Sequence, residues 1–198
     1  MNKKVLTVII LAVIALVILY LYSFGPFANR RHAVRLNPAS LKPTARQIAS
    51  QVINVYHNKD SKENYYRIAF PQTWKVKAGT AAGSYRFSFN AGIGSIELVD
   101  VPDNSTLELF ILSREEPRLK KNVPGYERKG FKKITISGCD AYSLKYASIL
   151  KGYKYENIRT YISGQDMAGV VTIIMPEKES ASFAETINAV ITSFKWEN

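Results

Sequence analysis

The sequence predicts an α+β domain carried behind a membrane-spanning helix, on three observations. Val5 to Tyr22 is an unbroken apolar run without charge, Gly or Pro. From Tyr65 onward, apolar residues alternate with polar ones in short runs bounded by Gly, Pro, Asn or Asp, the pattern of half-buried strands. At each end of that region apolar residues recur at three- and four-residue steps, the pattern of a helix with one buried face. Helix, many antiparallel strands, helix describes a sheet that helices cover.

The apolar run, as a helix, is about 27 Å long, close to the ~30 Å hydrocarbon core of a bilayer. A core helix of a soluble protein is shorter and interrupted by polar residues. A cleaved signal peptide needs a small-x-small exit, whereas this run leaves through Ser23-Phe24-Gly25-Pro26-Phe27. An uncleaved anchor over residues 1–24 is therefore expected. Lys3 and Lys4 precede it while Arg30, Arg31 and Arg35 come after it, so charge alone leaves orientation open. A short basic N-terminus ahead of a long apolar segment favours export of the downstream domain. The expected location is the plasma (inner) membrane, single-pass, with the C-terminal domain extracytoplasmic.

Residues 25–43 form a basic linker punctuated by Pro26, Pro38 and Pro43. Its Arg30, Arg31 and Arg35 are suited to anionic headgroups, at ~1 kcal/mol per basic residue near the surface. An ordinary solvated tether has the same composition.

The domain itself is expected over residues 44–198. Thr44 to about His57 reads as its first helix, with Ala45, Ile48, Ala49, Val52, Ile53 and Tyr56 on one face. Thr44 and Gln47 fit a capping box. Asn58 to Lys62 is a polar loop. Strands come next: Tyr66, Ile68 and Phe70, stopped by Pro71; then Trp74 and Val76; Tyr85, Phe87 and Phe89; Ile96 and Leu98; Leu107, Leu109 and Ile111; Ile134 and Ile136; Tyr142, Leu144 and Tyr146. Arg159–Ile162 and Val170–Met175 read as a late hairpin. Phe183, Ile187, Val190, Ile191 and Phe194 then mark an amphipathic helix, with Ser182 and Glu185 as a second capping box.

Taken together, Phe70-Pro71-Gln72-Thr73-Trp74-Lys75-Val76, then Ile136-Ser137-Gly138 with Ala141-Tyr142, and finally Ser193-Phe194-Lys195 resemble the ordered signatures of the PsbP-like superfamily. The resemblance covers about Tyr65 to Trp196. It implies an α-β-α sandwich with a central antiparallel sheet. That superfamily includes extrinsic subunits of photosystem II, a Ran-binding nuclear protein and bacterial envelope domains, mostly binding and assembly proteins rather than enzymes. The lipid-modified Cys of its cyanobacterial members is absent here, where an apolar helix takes the anchoring place. Trp74 also has a plain account as a core residue over the sheet edge.

Chemistry is sparse. His32 and His57 have no partner at metal spacing, and the only cysteine, Cys139, has no Cys-x-x-Cys companion. Gly92-Ile93-Gly94 precedes a strand rather than a helix, which favours a turn or bulge over a phosphate loop. Asp100, Asp103 and Asn104 flank Pro102 as in a β-turn, and Asn104-Ser105-Thr106 fits the glycosylation pattern by chance in a bacterial-looking chain. No cofactor, no metal and no catalytic residue is expected.

The stronger feature is basic. A formal net charge of +11 favours anionic neighbours. Arg118, Lys120, Lys121, Arg128, Lys129, Lys132 and Lys133 surround Pro124-Gly125-Tyr126, with Glu127 among them. Lys145, Lys151, Lys154 and Arg159 accompany Tyr153 and Tyr155. Basic loops of this kind suit a protein partner in an envelope complex, anionic lipid or wall polymer. An export location disfavours nucleic acid, and a solvated loop is the bland alternative. The sequence-level expectation is a non-enzymatic envelope binding or scaffold module, docked through Arg118, Lys120, Lys121, Tyr126, Arg128, Lys129, Lys132 and Lys133. An envelope hydrolase or transferase would instead need a pocket with convergent polar groups, and a nucleic-acid binder would need affinity that falls steeply with salt.

Overall fold

The computed structural model describes residues 52–57 and 65–197, all within the compact unit Lys42–Asn198. The apolar run, the linker with Arg30, Arg31 and Arg35, the Thr44–Gln47 cap and the polar loop Asn58 to Lys62 lie outside the described residues. No helix among the described residues is long and apolar enough to cross a membrane.

Alternation in the sequence becomes a seven-stranded antiparallel sheet. Its strands are β3 (Lys75–Ala78), β4 (Tyr85–Phe89), β5 (Gly92–Asp100), β6 (Glu127–Ile136), β7 (Cys139–Leu150), β8 (Tyr153–Ser163) and β9 (Met167–Pro176), in the spatial order β3-β4-β5-β9-β8-β7-β6. A smaller sheet joins β2 (Tyr65–Pro71) to β1 (Val52–His57) on one side and β10 (Lys195–Glu197) on the other. Two of the hairpins close on two-residue turns of positive φ. Ser137-Gly138 joins Ile136 to Cys139 and Lys151-Gly152 joins Leu150 to Tyr153, all four turn residues having positive φ. That geometry matches the right-handed twist of the flanking strands.

Each face of the large sheet has its own core. One face carries Ala141, Ile158, Ile162, Val171 and Ile173 against α3 (Ser180–Thr192) and the small sheet. The other carries Tyr142, Leu144, Tyr161 and Val170 against α1 (Leu107–Phe110) and its continuation. The continuation is a π-helical turn, Ile111–Glu115, followed by α2 (Glu116–Asn122). Pro117 explains the widening: it offers no N–H to the preceding turn and its ring crowds the carbonyl there. Helices on opposite faces of an antiparallel sheet make the expected α-β-α layering.

The motif residues behind the resemblance meet in the first core. Trp74 is buried and stacks on Phe89 at 4.4 Å between ring centroids, as expected of a core residue. Phe70 packs on both Trp74 and Phe87. Ser193 Oγ accepts a hydrogen bond from Ala69 N at 2.9 Å, and Ser137 Oγ donates to Phe194 O at 2.6 Å. The three signatures are thus parts of one joint between β2, the β6–β7 turn and the closing helix.

Four sequence expectations need correction. Val52–His57 is a strand, not the end of a helix: Val52, Ile53 and Val55 are β-branched, and the segment pairs with β2. Leu107 to Ile111 is helical, not a strand. Leu107, Phe110 and Ile111 are buried at helical spacing, Leu109 is 54% exposed, and Thr106 Oγ1 caps the start by accepting from Leu109 N. The closing helix begins at Ser180 with no side-chain N-cap, so Ser182 and Glu185 form no capping box; Ser182 Oγ donates to Glu179 O instead.

Gly92-Ile93-Gly94 is neither turn nor bulge but regular ladder in β5, paired to β4. Gly94 lies opposite Phe87, where a Cβ would run into the Phe87 ring and the Thr172 carbonyl oxygen. Gly94→Ala is accordingly expected to cost about 1–3 kcal/mol by overpacking. Chemical denaturation checks this: an unchanged midpoint would show that the ring has room to move.

Candidate docking surface

The sequence-predicted basic residues do not lie in loops. Arg118, Lys120 and Lys121 are on α2, and Arg128, Lys129, Lys132 and Lys133 are on β6, the outer strand of the large sheet. Strand alternation splits the second set: Arg128 and Lys133 share the α2 face through their pairing with Tyr146 and Tyr142, while Lys132 pairs with Ser143 and faces α3. Tyr126 stands between α2 and β6, its ring stacked on Tyr146 at 4.9 Å.

Two buried glutamates on the helix absorb much of this charge. Glu116, nearly inaccessible, accepts from Tyr126 Oη at 2.9 Å and Arg128 Nη1 at 3.1 Å, and pairs with Lys120 Nζ at 3.3 Å. Burial, and then the Glu116 carboxylate, push the Tyr126 phenol well above its usual range. Glu115 accepts from Arg118 Nη2 at 2.9 Å, Arg159 Nη2 at 3.1 Å and Tyr161 Oη at 3.3 Å. Arg159 is therefore not a surface cation. It lies under the helix, also bonded to Glu97 Oε1 at 2.7 Å and donating through Nε to Tyr161 Oη at 2.8 Å.

At the rim, Lys129 pairs with Glu127 at 2.8 Å and Lys133 with Asp140 at 2.7 Å, in both cases between exposed groups. The hydrogen bond to Asp140 holds the Lys133 ammonium above its usual value. Lys121 and Lys132 make no ion pair among the described residues. With Lys132 on the opposite face, six of these basic side chains stand against Glu115, Glu116, Glu127 and Asp140, an excess of two positive charges.

Beside this surface is an apolar tip that sequence reasoning missed in part. Leu150 is 55% exposed and Tyr153 70%, on either side of the Lys151-Gly152 turn, with Ile149 also exposed. The tip lies against the loop after α2: Ile149 N donates to Pro124 O at 2.8 Å, and Gly125 sits against the Ile149 side chain. Consecutive Ile149 and Leu150 break the alternation of β7, a signal readable from sequence, since one of two adjacent strand residues must face away from the core. Asp103 and Asn104 form the expected β-turn, with Ser105 N donating to Pro102 O at 2.8 Å. Among the described residues no three His, Cys, Asp or Glu side chains gather as a metal site would need.

No protein-family profile matches the chain, and no curated protein does. Solved structures do. The solution structure of cyanobacterial PsbP (CyanoP) from Synechocystis sp. PCC 6803 aligns with a TM-score of 0.57 at 12% identity, covering 87% of this chain and 100% of that one. LpqN of Mycobacterium tuberculosis, described as involved in cell envelope biogenesis, aligns with a TM-score of 0.53 at 14% identity, covering 73% of this chain and 90% of that one. Identities this low speak to architecture alone. The described domain is similar in fold to both, an antiparallel sheet between helices with the PsbP-like arrangement.

Proposed function

We propose that this chain is a membrane-anchored, non-enzymatic binding or scaffold module of the bacterial cell envelope, docking an anionic protein partner at one end of its large sheet. The observation that carries the reading is the exposed pair Leu150 and Tyr153 at a hairpin tip, next to the excess positive charge of α2 and β6. An aromatic and an aliphatic side chain in water beside a charged rim is the anatomy of a protein-binding hot spot. Lys121 is the basic residue of α2 best placed to meet an acidic partner, because Arg118 and Lys120 already serve Glu115 and Glu116. The apolar run at Val5–Tyr22 supports the anchor, and the fold shared with LpqN, itself described as involved in cell envelope biogenesis, supports the envelope. The saturated hydrogen bonding of Glu115 and Glu116 supports a structural role for both rather than acid–base work.

The test is crosslinking and pull-down of the full-length protein from its native membrane, read by mass spectrometry. Leu150→Ser with Tyr153→Ser, and separately Lys121→Glu, should each deplete the stoichiometric partner severalfold. Thermal stability should stay unchanged, as expected for exposed positions. Equal recovery by wild type and both variants would overturn the docking surface.

A further inference from the structure

Across the sheet from α2 lies a groove of about 320 Å³ between α3 and strands β6, β7 and β8. That is the lower end of the range for small-molecule sites. It exists because α3 packs over β8 and β9 and leaves the outer strands uncovered: Ile158, Ile162, Val171 and Ile173 join the core with Ile187 and Ile191, while Lys132 remains exposed.

One ladder row crosses its floor. Lys132 pairs with Ser143, and Ser143 with Thr160, so all three side chains rise on the same face about 5 Å apart from strand to strand. Thr160 is 1% exposed, and its Oγ1 is the one buried side-chain oxygen or nitrogen without a hydrogen-bond partner among the described residues. A buried hydroxyl left so is unfavourable, and the apolar residue of nearest shape, Val, occupies the next position of the same row at Val171. The groove lining supplies the other half of a site. Ile134 and Ile158 from the sheet, with Ile187 and Ile191 from α3, form an aliphatic wall beside that polar row. Lys145 faces the same groove, but Glu156 lies 3.8 Å from its ammonium, whereas Lys132 has no ion pair among the described residues.

We infer that the groove is a binding site for a small aliphatic carboxylate. The carboxylate accepts from Thr160 Oγ1 and Ser143 Oγ and is neutralised by Lys132 Nζ, and its alkyl chain runs along the isoleucines under α3. The head group is an acceptor because hydroxyls and an ammonium donate, and it is anionic because Lys132 is the uncompensated charge of the row. The body is aliphatic rather than aromatic or sugar-like because the wall is isoleucine.

Octanoate is the probe, titrated into the full-length protein in detergent above and below its own saturation and followed calorimetrically. One-to-one binding is expected, with octanol and inorganic phosphate each at least tenfold weaker, since each lacks one half of the recognition. Thr160→Val and Lys132→Gln should each weaken octanoate about tenfold, the usual worth of one hydrogen bond to a charged group. Thr160→Val should otherwise fold at least as stably as wild type, so loss of binding will not be loss of structure. No saturable octanoate binding, binding indifferent to both substitutions, or phosphate binding as tightly as octanoate would each overturn the assignment.

Discussion

Replacing Arg159 with Met should destabilise the domain by about 3–5 kcal/mol, the usual consequence of removing one partner from a buried ion pair. Arg159 and Glu115 are both 8% exposed at the side chain, and their contact is 3.1 Å. The substitution leaves the Glu115 carboxylate under the helix with Tyr161 and with Arg118, whose own side chain is 56% exposed. It also deprives Glu97 and Thr172 of their bonds to the guanidinium. Removing Arg118 instead should cost no more than about 1 kcal/mol, because an exposed cation pairs through water as readily as through protein. The decisive variant is the double one, Glu115→Gln with Arg159→Met. Without an orphaned charge it should recover much of the loss, giving a coupling of about 0.5–3 kcal/mol in a double-mutant cycle. Denaturant midpoints at constant m-value provide the measurement. Additive single and double effects would mean that the two residues act on the fold separately, and that the helix owes its seat to Leu107, Phe110, Ile111 and Leu119 alone.

The legibility of the chain divides along physical lines. The strands of the sheet were legible wherever two neighbours impose different environments on alternate residues, as at Tyr66, Ile68 and Phe70 or at Tyr142, Leu144 and Tyr146. Leu107, Leu109 and Ile111 mimic that alternation by coincidence; the intervening Phe110 and the cap at Thr106 were the contrary signals, and they decide the element. Val52–His57 was ambiguous because Val52, Ile53 and Tyr56 suit a helical face as well as a strand, and a partner strand downstream settles it. The candidate surface was legible in half. Glu115 to Arg118 and Glu116 to Lys120 are at the i,i+3 and i,i+4 spacings at which opposite charges meet on a helix, so part of the basic cluster's neutralisation was readable. The burial of both glutamates was not. A glutamate reads as a solvent-facing residue until a cation such as Arg159, 44 positions away, is brought under it. The groove was equally hidden, since Lys132, Ser143 and Thr160 become neighbours only through strand register.

Raising the pH should unfold the domain between about pH 10 and 12, a consequence of two tyrosines with no exposed surface. Tyr66 donates through Oη to Gly83 O at 2.7 Å, and Tyr161 lies beneath the helix beside Arg159 and Glu115. Burial pushes both phenols well above their ordinary value; for Tyr161 it outweighs the opposing pull of the Arg159 cation. In the unfolded chain each titrates near pH 10. Below that pH both states hold the proton and the stability is fully present. Above it the unfolded chain releases protons that the native state keeps, so stability falls by about 1.4 kcal/mol per pH unit for each phenol, or ~2.7 for the pair. Two units of pH then remove about 5 kcal/mol, comparable with the whole stability of a marginal domain. Tyr146 is shifted upward by burial as well and adds in the same direction. Tyrosinate absorbance recorded together with circular dichroism separates the contributions. Exposed phenols should ionise smoothly, and a second, cooperative step should coincide with loss of secondary structure. Tyr66→Phe should remove one phenol's share of the pH dependence, about 1.4 kcal/mol per pH unit, while lowering stability at neutral pH by about 1–3 kcal/mol, because the Gly83 carbonyl loses its donor. A single smooth titration with the fold intact at pH 12 would show that neither phenol is held from water, and the first core would then be open where Tyr66 stacks on Phe194.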